Sequence, residues 1–492
     1  MKLIYDVKDK PKFGQLIIFA IQQLLAIMTA TLVVPVIINS SCDTTMSSAA
    51  ALFGAGIGTI VYLLFTKMKS PVFLGSSFAF IGSMVAAFAG AVSMQAGYLG
   101  LIIGAAFAGL VYVIIALVVK FVGTGWLNKL MPVVVIGPTV AIIGLSLAGN
   151  AIGDLCKGNI TTTVDTENVV ITATEKPMEY EGLLLLQGDT VTDVKETEDV
   201  PVASPLASIF CGVVTLLITI IASVYGKKFA KLIPFIFGIL GGYLTAMLLT
   251  LIGMKFNVDS IKILNFQPFL DLVANGVTLN TFFAVPDFTF LTAYKGIKDI
   301  DPSYISTLAV AYIPVAFVVF AEHIADHKNI SSIIEKDLLV DPGLHRTLLG
   351  DGVGSIAGAI FGGCPNTTYG ESVGCVAITK NASVVTILTA AILAILISFV
   401  SPFIAFVNSI PSCVMGGVCM ALYGFIAVSG LKMIQGVDLN QNKNLFVVST
   451  ILIAGIGGLS ITLGKVTLTS IACALILGII VNLIVSKADT QE

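Results

Sequence analysis

Gly75-Ser76-Ser77-Phe78-Ala79 and Asn366-Thr367-Thr368-Tyr369-Gly370 read alike: two hydroxyl residues, an aromatic, then a small residue. A second couple, Pro132-Val-Val-Val-Ile-Gly137 and Pro411-Ser-Cys-Val-Met-Gly416, opens two Gly-interrupted apolar segments. The offsets are 291 and 279 residues in a chain of 492, so the repeating unit covers about half the chain, as in transporters built from internal repeats.

The surroundings of these motifs fix the solvent. Apolar residues make up 56% of the chain and charged ones only 11%, with a mean hydropathy of +0.99. A typical soluble chain carries about 25% charged residues, so a soluble cytosolic enzyme is excluded. About 20 apolar residues cross the hydrocarbon core as a helix. By that ruler, spans are predicted near 15–39, 47–66, 97–119, 206–225, 231–253, 304–325, 384–406 and 444–463. Shorter or broken membrane segments are predicted at 71–90, 130–150, 347–362, 369–380, 411–430 and 466–486. The result is an all-α polytopic membrane protein of about 14 segments, seven per half. Because seven is odd, the two halves form inverted repeats.

With both termini placed in the cytoplasm, 18 of the 26 basic residues fall on that side, the bias expected of a cell-membrane protein. The run beginning near Leu16 is too long for a signal peptide and is read as the first span. Residues 153–205 break the pattern with 11 acidic residues and three lysines, and are read as a solvated external loop containing a small hairpin. A second external stretch, 255–303, mixes aromatics with charges as an interfacial segment does. The net charge of −3 offers no basic surface for nucleic acid. Eight cysteines without C-x-x-C pairs give neither a zinc site nor a disulfide framework, although Cys42 and Cys156 both lie on external segments. No metal and no cofactor is expected.

Ionisable groups inside the membrane are costly and mark function by default. The candidates are Glu322, His323 and Asp326 after the apolar run 307–321, Asp351 in the next segment, and Glu371 in the broken segment 365–380. Glu322 and Asp326 are four apart and share a helix face; His323 is turned away by about 100°. Glu322 and Glu371 are read as functional, Asp326 as functional or solvated near a helix end, His323 as a packing histidine, and His327 and His345 as solvated. Leu74–Phe80 and Pro365–Glu371 are rich in Gly, Pro and hydroxyl residues and are expected to leave the helix as two short extended strands near the substrate site. Free N–H groups there donate and the carboxylates accept, which suits a small planar ligand carrying both N–H and C=O groups.

The run Glu371-Ser-Val-Gly374-Cys-Val-Ala-Ile-Thr379-Lys380 resembles the signature of the nucleobase/ascorbate transporter family. Val72-Phe-Leu-Gly-Ser-Ser-Phe-Ala-Phe80, Ala321-Glu-His323, Lys336-Asp-Leu-Leu-Val-Asp-Pro-Gly-Leu-His-Arg346 and Pro365-Asn-Thr-Thr-Tyr-Gly-Glu371 are similar to the uracil-transporting members. The resemblance implies a core domain (1–120 and 255–406) that holds substrate and a gate domain (121–254 and 407–492) against which it moves. It assigns Glu322 and Glu371 to the carboxylates that hold the base, and Phe78, Tyr369 and Gly370 to positions that line the pocket or offer backbone contacts. It implies import of uracil with protons and dimerisation through the gate domain; Glu322, desolvated and close to Asp326, is the residue expected to take up the proton. Sodium is the rival coupling ion. Three positions depart from the uracil pattern: Asp326 stands where those members have histidine, as in xanthine and urate members; Gln23 replaces a histidine; Ser372 replaces an asparagine. Glu371 favours uracil, with an oxopurine as the alternative. An anion exchanger of similar architecture would need a cationic pocket, which the broken segments lack. A membrane-embedded hydrolase would need an HExxH or a Gly-x-Ser-x-Gly motif, and neither occurs.

Overall fold

The computed structural model describes residues 3–123, 126, 132–172, 177–180, 183–186, 190–227, 229–274, 276–463 and 466–488. Its first half runs α1 (Phe13–Cys42), α2 (Ser48–Phe65), β1 (Leu74–Ser76), α3 (Ile81–Ala89), α4 (Met94–Val122) and α5 (Val133–Ser146). After the strands of the insertion come α6 (Pro205–Val224) and α7 (Pro234–Phe256). The second half runs α8 (Pro302–Ile334), α9 (Leu344–Gly362), β6 (Asn366–Thr368), α10 (Gly370–Thr379), α11 (Val384–Ile397), α12 (Ser412–Ile434), α13 (Asn442–Ile456) and α14 (Ser470–Ala488). Eight helices among the described residues are long and apolar enough to cross a membrane: α1, α2, α4, α6, α7, α8, α12 and α5 with its continuation to Leu155. The others are shorter or, like α9 and α10, carry ionisable residues.

The internal symmetry is visible in the pairing. β1 and β6 lie antiparallel, Gly75 opposite Thr367 and Leu74 opposite Thr368. Equivalent strands that pair antiparallel are what a two-fold axis in the membrane plane produces. α2 and its counterpart α9 also cross antiparallel at glycines: a Cβ on Gly58 would stand 2.7 Å from the Gly354 carbonyl oxygen. Pro132 and Pro411 occupy equivalent places as the residues just before α5 and α12, which pack on one another. Helices α1–α4 and α8–α11 pack mainly among themselves, and α5–α7 pack with α12–α14.

Helix starts follow local chemistry. Ser47, Ser93 and Ser204 accept the third backbone N–H of α2, α4 and α6, and Asp301 does the same for α8. The last of these begins a 33-residue helix about 50 Å long, nine residues beyond the predicted end of that span. Glu322 and Asp326 therefore lie in the body of a helix, and the reading of Asp326 as solvated near a helix end is corrected. His327 is corrected as well. It is buried in α8, with Nε2 2.7 Å from the Tyr62 hydroxyl and Nδ1 2.8 Å from the His323 carbonyl. The predicted span 384–406 divides, because α11 stops at Ile397 and a separate helix, Ser401–Ser409, starts with Pro402 in its first turn.

The acidic insertion forms an antiparallel ribbon of β2 (Thr161–Thr172) and β5 (Thr190–Pro201), and β3 (Pro177–Tyr180) pairs with β4 (Leu183–Leu186). Cys42 and Cys156 are both free thiols. The stretch 255–303 is a series of short helical turns.

Candidate substrate site

The β1–β6 pair ends each strand inside the protein and starts a helix from it. After β1 the chain makes one 3-10 turn, Phe78–Phe80, and enters α3; after β6 it enters α10 at Gly370. The first N–H groups of a helix have no intrahelical acceptor. Ser77 N–H is already committed to the Pro365 carbonyl and Val373 N–H to that of Tyr369, and Gly370 N–H, at the start of α10, has no backbone acceptor among the described residues. The starts of α3 and α10 thus bring partial positive charge to one place.

That place is a cavity of about 430 Å³, within the usual range for small-molecule sites. Phe78, Glu322, Asp326, Tyr369, Gly370 and Glu371 all line it, so the structure brings together every residue assigned to the site. Phe78 and Tyr369 are buried, while the three carboxylates are half-buried and open to the cavity. Tyr369 donates its hydroxyl to the Ser76 carbonyl, 2.5 Å away, so its OH is already committed within the protein. Phe78 meets Tyr423 of α12 edge-on at 5.9 Å, across the boundary between the two helical groups. Its lining reaches the ends of α6 and α12 and the start of α7 with Ser223, Met433 and Lys231, and of these and Asn329 the exposed residues are Asn329 and Lys231.

Asp326 is fixed by Thr368, whose hydroxyl donates to Oδ2 at 3.0 Å; a Cβ on Gly370 would lie 3.7 Å from the other oxygen. Among the described residues, none of the three carboxylates makes an ion pair. Thr368 was legible only as one of a pair of hydroxyl residues, because its partner lies 42 residues away on another helix.

Behind the site, His323 faces away from the cavity, as its angular offset on the helix requires. Its Nδ1 lies 2.6 Å from Asp351 Oδ2 and its Nε2 3.0 Å from the Thr347 hydroxyl, all three fully buried. This pair ties α8 to α9 and fits the packing role read for His323. The two departures Gln23 and Ser372 compensate one another: Gln23 Nε2 donates to Ser372 Oγ at 2.6 Å, and the same oxygen accepts from Phe73 N–H at 3.0 Å. The link joins α1, the lead-in to β1, and the first turn of α10.

A larger cavity of about 730 Å³ lies between α1, α7, α11 and α12 and shares Leu25 and Ile236 with the first. Its lining is aliphatic and aromatic apart from Thr29, so it has nothing to recognise a polar planar molecule.

The family model described as "Permease family" matches residues 14–175 and 190–464. The chain is 36% identical over 495 residues to the uracil permease of Bacillus subtilis (strain 168), covering 100% of this chain and 97% of that one. It is 34% identical over 480 residues to the uracil permease of Escherichia coli (strain K12), covering 97% and 93%. Among solved structures it resembles the transmembrane domain of the cyanobacterial bicarbonate transporter BicA, with a TM-score of 0.56, 13% identity, and coverage of 97% of this chain and 100% of that one. It also resembles the murine anion transporter Slc26a9, with a TM-score of 0.59, 11% identity, and coverage of 98% and 70%. At those identities the likeness concerns the fold alone.

Proposed function

The chain belongs to the nucleobase/ascorbate transporter family of permeases, and from that membership we propose that it carries uracil inward across the cell membrane with a proton, as a transporter and not an enzyme. The observation that carries the reading is the cavity, whose lining Glu322 on α8 and Glu371 on α10 share with Phe78, Ala79 and Gly370 at the starts of α3 and α10. Uracil has two N–H donors for the carboxylates and two carbonyls for backbone N–H groups. A buried polar group left unpaired costs about 1–3 kcal/mol, so each match counts toward selection. The rings of Phe78 and Tyr369 bound the site, and Gly370 lets the α10 backbone approach.

Glu322 takes up the coupling proton before or with uracil, and Asp326, one turn along and held by Thr368, shares it. In this reading α1–α4 and α8–α11 form the core domain and α5–α7 with α12–α14 the gate. Movement of core against gate exposes the cavity alternately to each side. The separate packing of the two groups and the edge-on Phe78–Tyr423 contact between them support that division. Both termini lie in the cytoplasm, and the end of the cavity lined by Asn329 and Lys231 is the inner one.

The test is uptake of radiolabelled uracil into proteoliposomes under an imposed pH gradient, with the solute recovered and identified. Unmodified uracil accumulated only while the gradient lasts supports proton symport. Accumulation that follows a sodium gradient instead transfers the coupling to sodium, and a converted product contradicts transport.

A further inference from the structure

The cavity that presents three carboxylates has one cationic side chain in its described lining, Lys231. It does not come from the helices that carry the acids. It belongs to a one-turn helix, Phe229–Leu232, that leads into α7, and it lines the cavity together with Ser223 and Asn329. A basic cluster at the inner membrane surface accounts for Lys227, which does not line the cavity; Lys231 does line it. Its side chain is exposed and makes no ion pair among the described residues, so the ammonium is free to swing on its four-carbon stem.

A second observation fixes where that stem is rooted. Leu232 and Ile233, the next two residues, form a small apolar cluster with Ala26 of α1 and Cys375 of α10, separate from the main core. Cys375 is four residues after Glu371, hence on the same face of α10. The backbone of Lys231 is therefore held beside the turn of α10 that follows Glu371, at a direct contact between the two helical groups.

Three carboxylates around one cavity repel one another, and a charge taken out of water needs a partner. A bound proton and uracil satisfy them. After both have left, the site has no such partner, yet a symporter must return empty to complete its cycle. Resting on the transport reading above, we propose that Lys231 is the tethered counter-ion of the empty site: its ammonium turns toward Glu371 and lets the emptied core close against the gate. The lysine thereby favours the return step and has no part in carrying loaded substrate.

Net uptake requires the empty return, whereas exchange of internal for external uracil does not. Purified full-length protein in liposomes gives both rates: uptake of labelled uracil into vesicles without internal uracil, and into vesicles preloaded with unlabelled uracil. For Lys231→Gln the ratio of net uptake to exchange falls about tenfold, and Lys231→Arg restores it to within about twofold of the parent. A parallel fall in both rates, or an unchanged ratio in Lys231→Gln, overturns the proposal. If the unsubstituted protein shows neither net uptake nor exchange, it is the uracil reading that fails, and the lysine's role falls with it. If it shows both and only the ratio refuses to move, the transport reading stands and the counter-ion does not.

Discussion

Replacing Glu371 by Gln removes one negative charge from the cavity while keeping the size and shape of the side chain. Glu371 is the second residue of α10, lines the cavity, and holds no ion pair among the described residues. On the proposed reading a uracil N–H donates to this carboxylate in the parent, a bond worth about 1.5–3 kcal/mol; in the variant it would donate to a neutral amide oxygen, worth about 0.5–1.5 kcal/mol. The difference of about 1–2 kcal/mol corresponds to uracil binding roughly 5- to 30-fold weaker. The assay is calorimetric titration of uracil into the purified protein, with thermal stability followed in parallel. The expected result is that loss of affinity with a melting temperature within about 2 °C of the parent's. A dissociation constant within twofold of the parent's at unchanged stability refutes the assignment of Glu371 to the base.

Three further outcomes follow from named contacts. Gly58→Ala sets a Cβ 2.5 Å from Asn366 Nδ2 and 2.7 Å from the Gly354 oxygen, so α2 and α9 must separate; a cost of about 1–3 kcal/mol is expected as a lower melting temperature and a poorer yield of monodisperse protein. Thr368→Val removes the donor to Asp326, and a loss of about 1 kcal/mol is expected in a thermal-shift measurement, with uracil affinity changed less than by Glu371→Gln. Outside the membrane, the Lys336 ammonium donating to Asp6 holds that carboxyl below its ordinary 3.8, so the contact stabilises above that pH and is lost as pH falls through the depressed value. Both partners are about half exposed, which limits it to about 1 kcal/mol or less; Asp6→Asn is expected to speed amide exchange in residues 3–9 at pH 7, with an effect that shrinks as the pH is taken down through the depressed value.

The repeat was legible because it rests on local chemistry. Hydroxyl and glycine residues at Gly75–Ala79 and Asn366–Gly370 cannot continue an apolar helix, and the odd number of segments between the copies sets their opposite sense. Candidate residues were legible for a related reason: an acid such as Glu322 or Glu371 in an apolar segment has few uses other than function, and the structure gathers both at one cavity. What hydropathy concealed was helix length. The polar turns from Glu322 to Ile334 end an apolar run without ending a helix, so His327 reads as solvated although it is fully buried beside Tyr62. Pairings across the chain were equally hidden. Gln23 and Ser372 read as two separate departures, and only the packing of α1 against α10 makes them a single hydrogen bond over 349 residues. Lys231 read as one more basic residue on the inner side, since nothing in its neighbours places it at the cavity.

The most direct test is uptake of radiolabelled uracil by a permease-deficient bacterium expressing the chain, with and without a protonophore, and with excess unlabelled xanthine. The account predicts uptake that the protonophore abolishes and xanthine leaves unchanged. Absence of uracil uptake with the protein present in the membrane would contradict it, and would mean that Asp326 outweighs Glu371 in selecting the base.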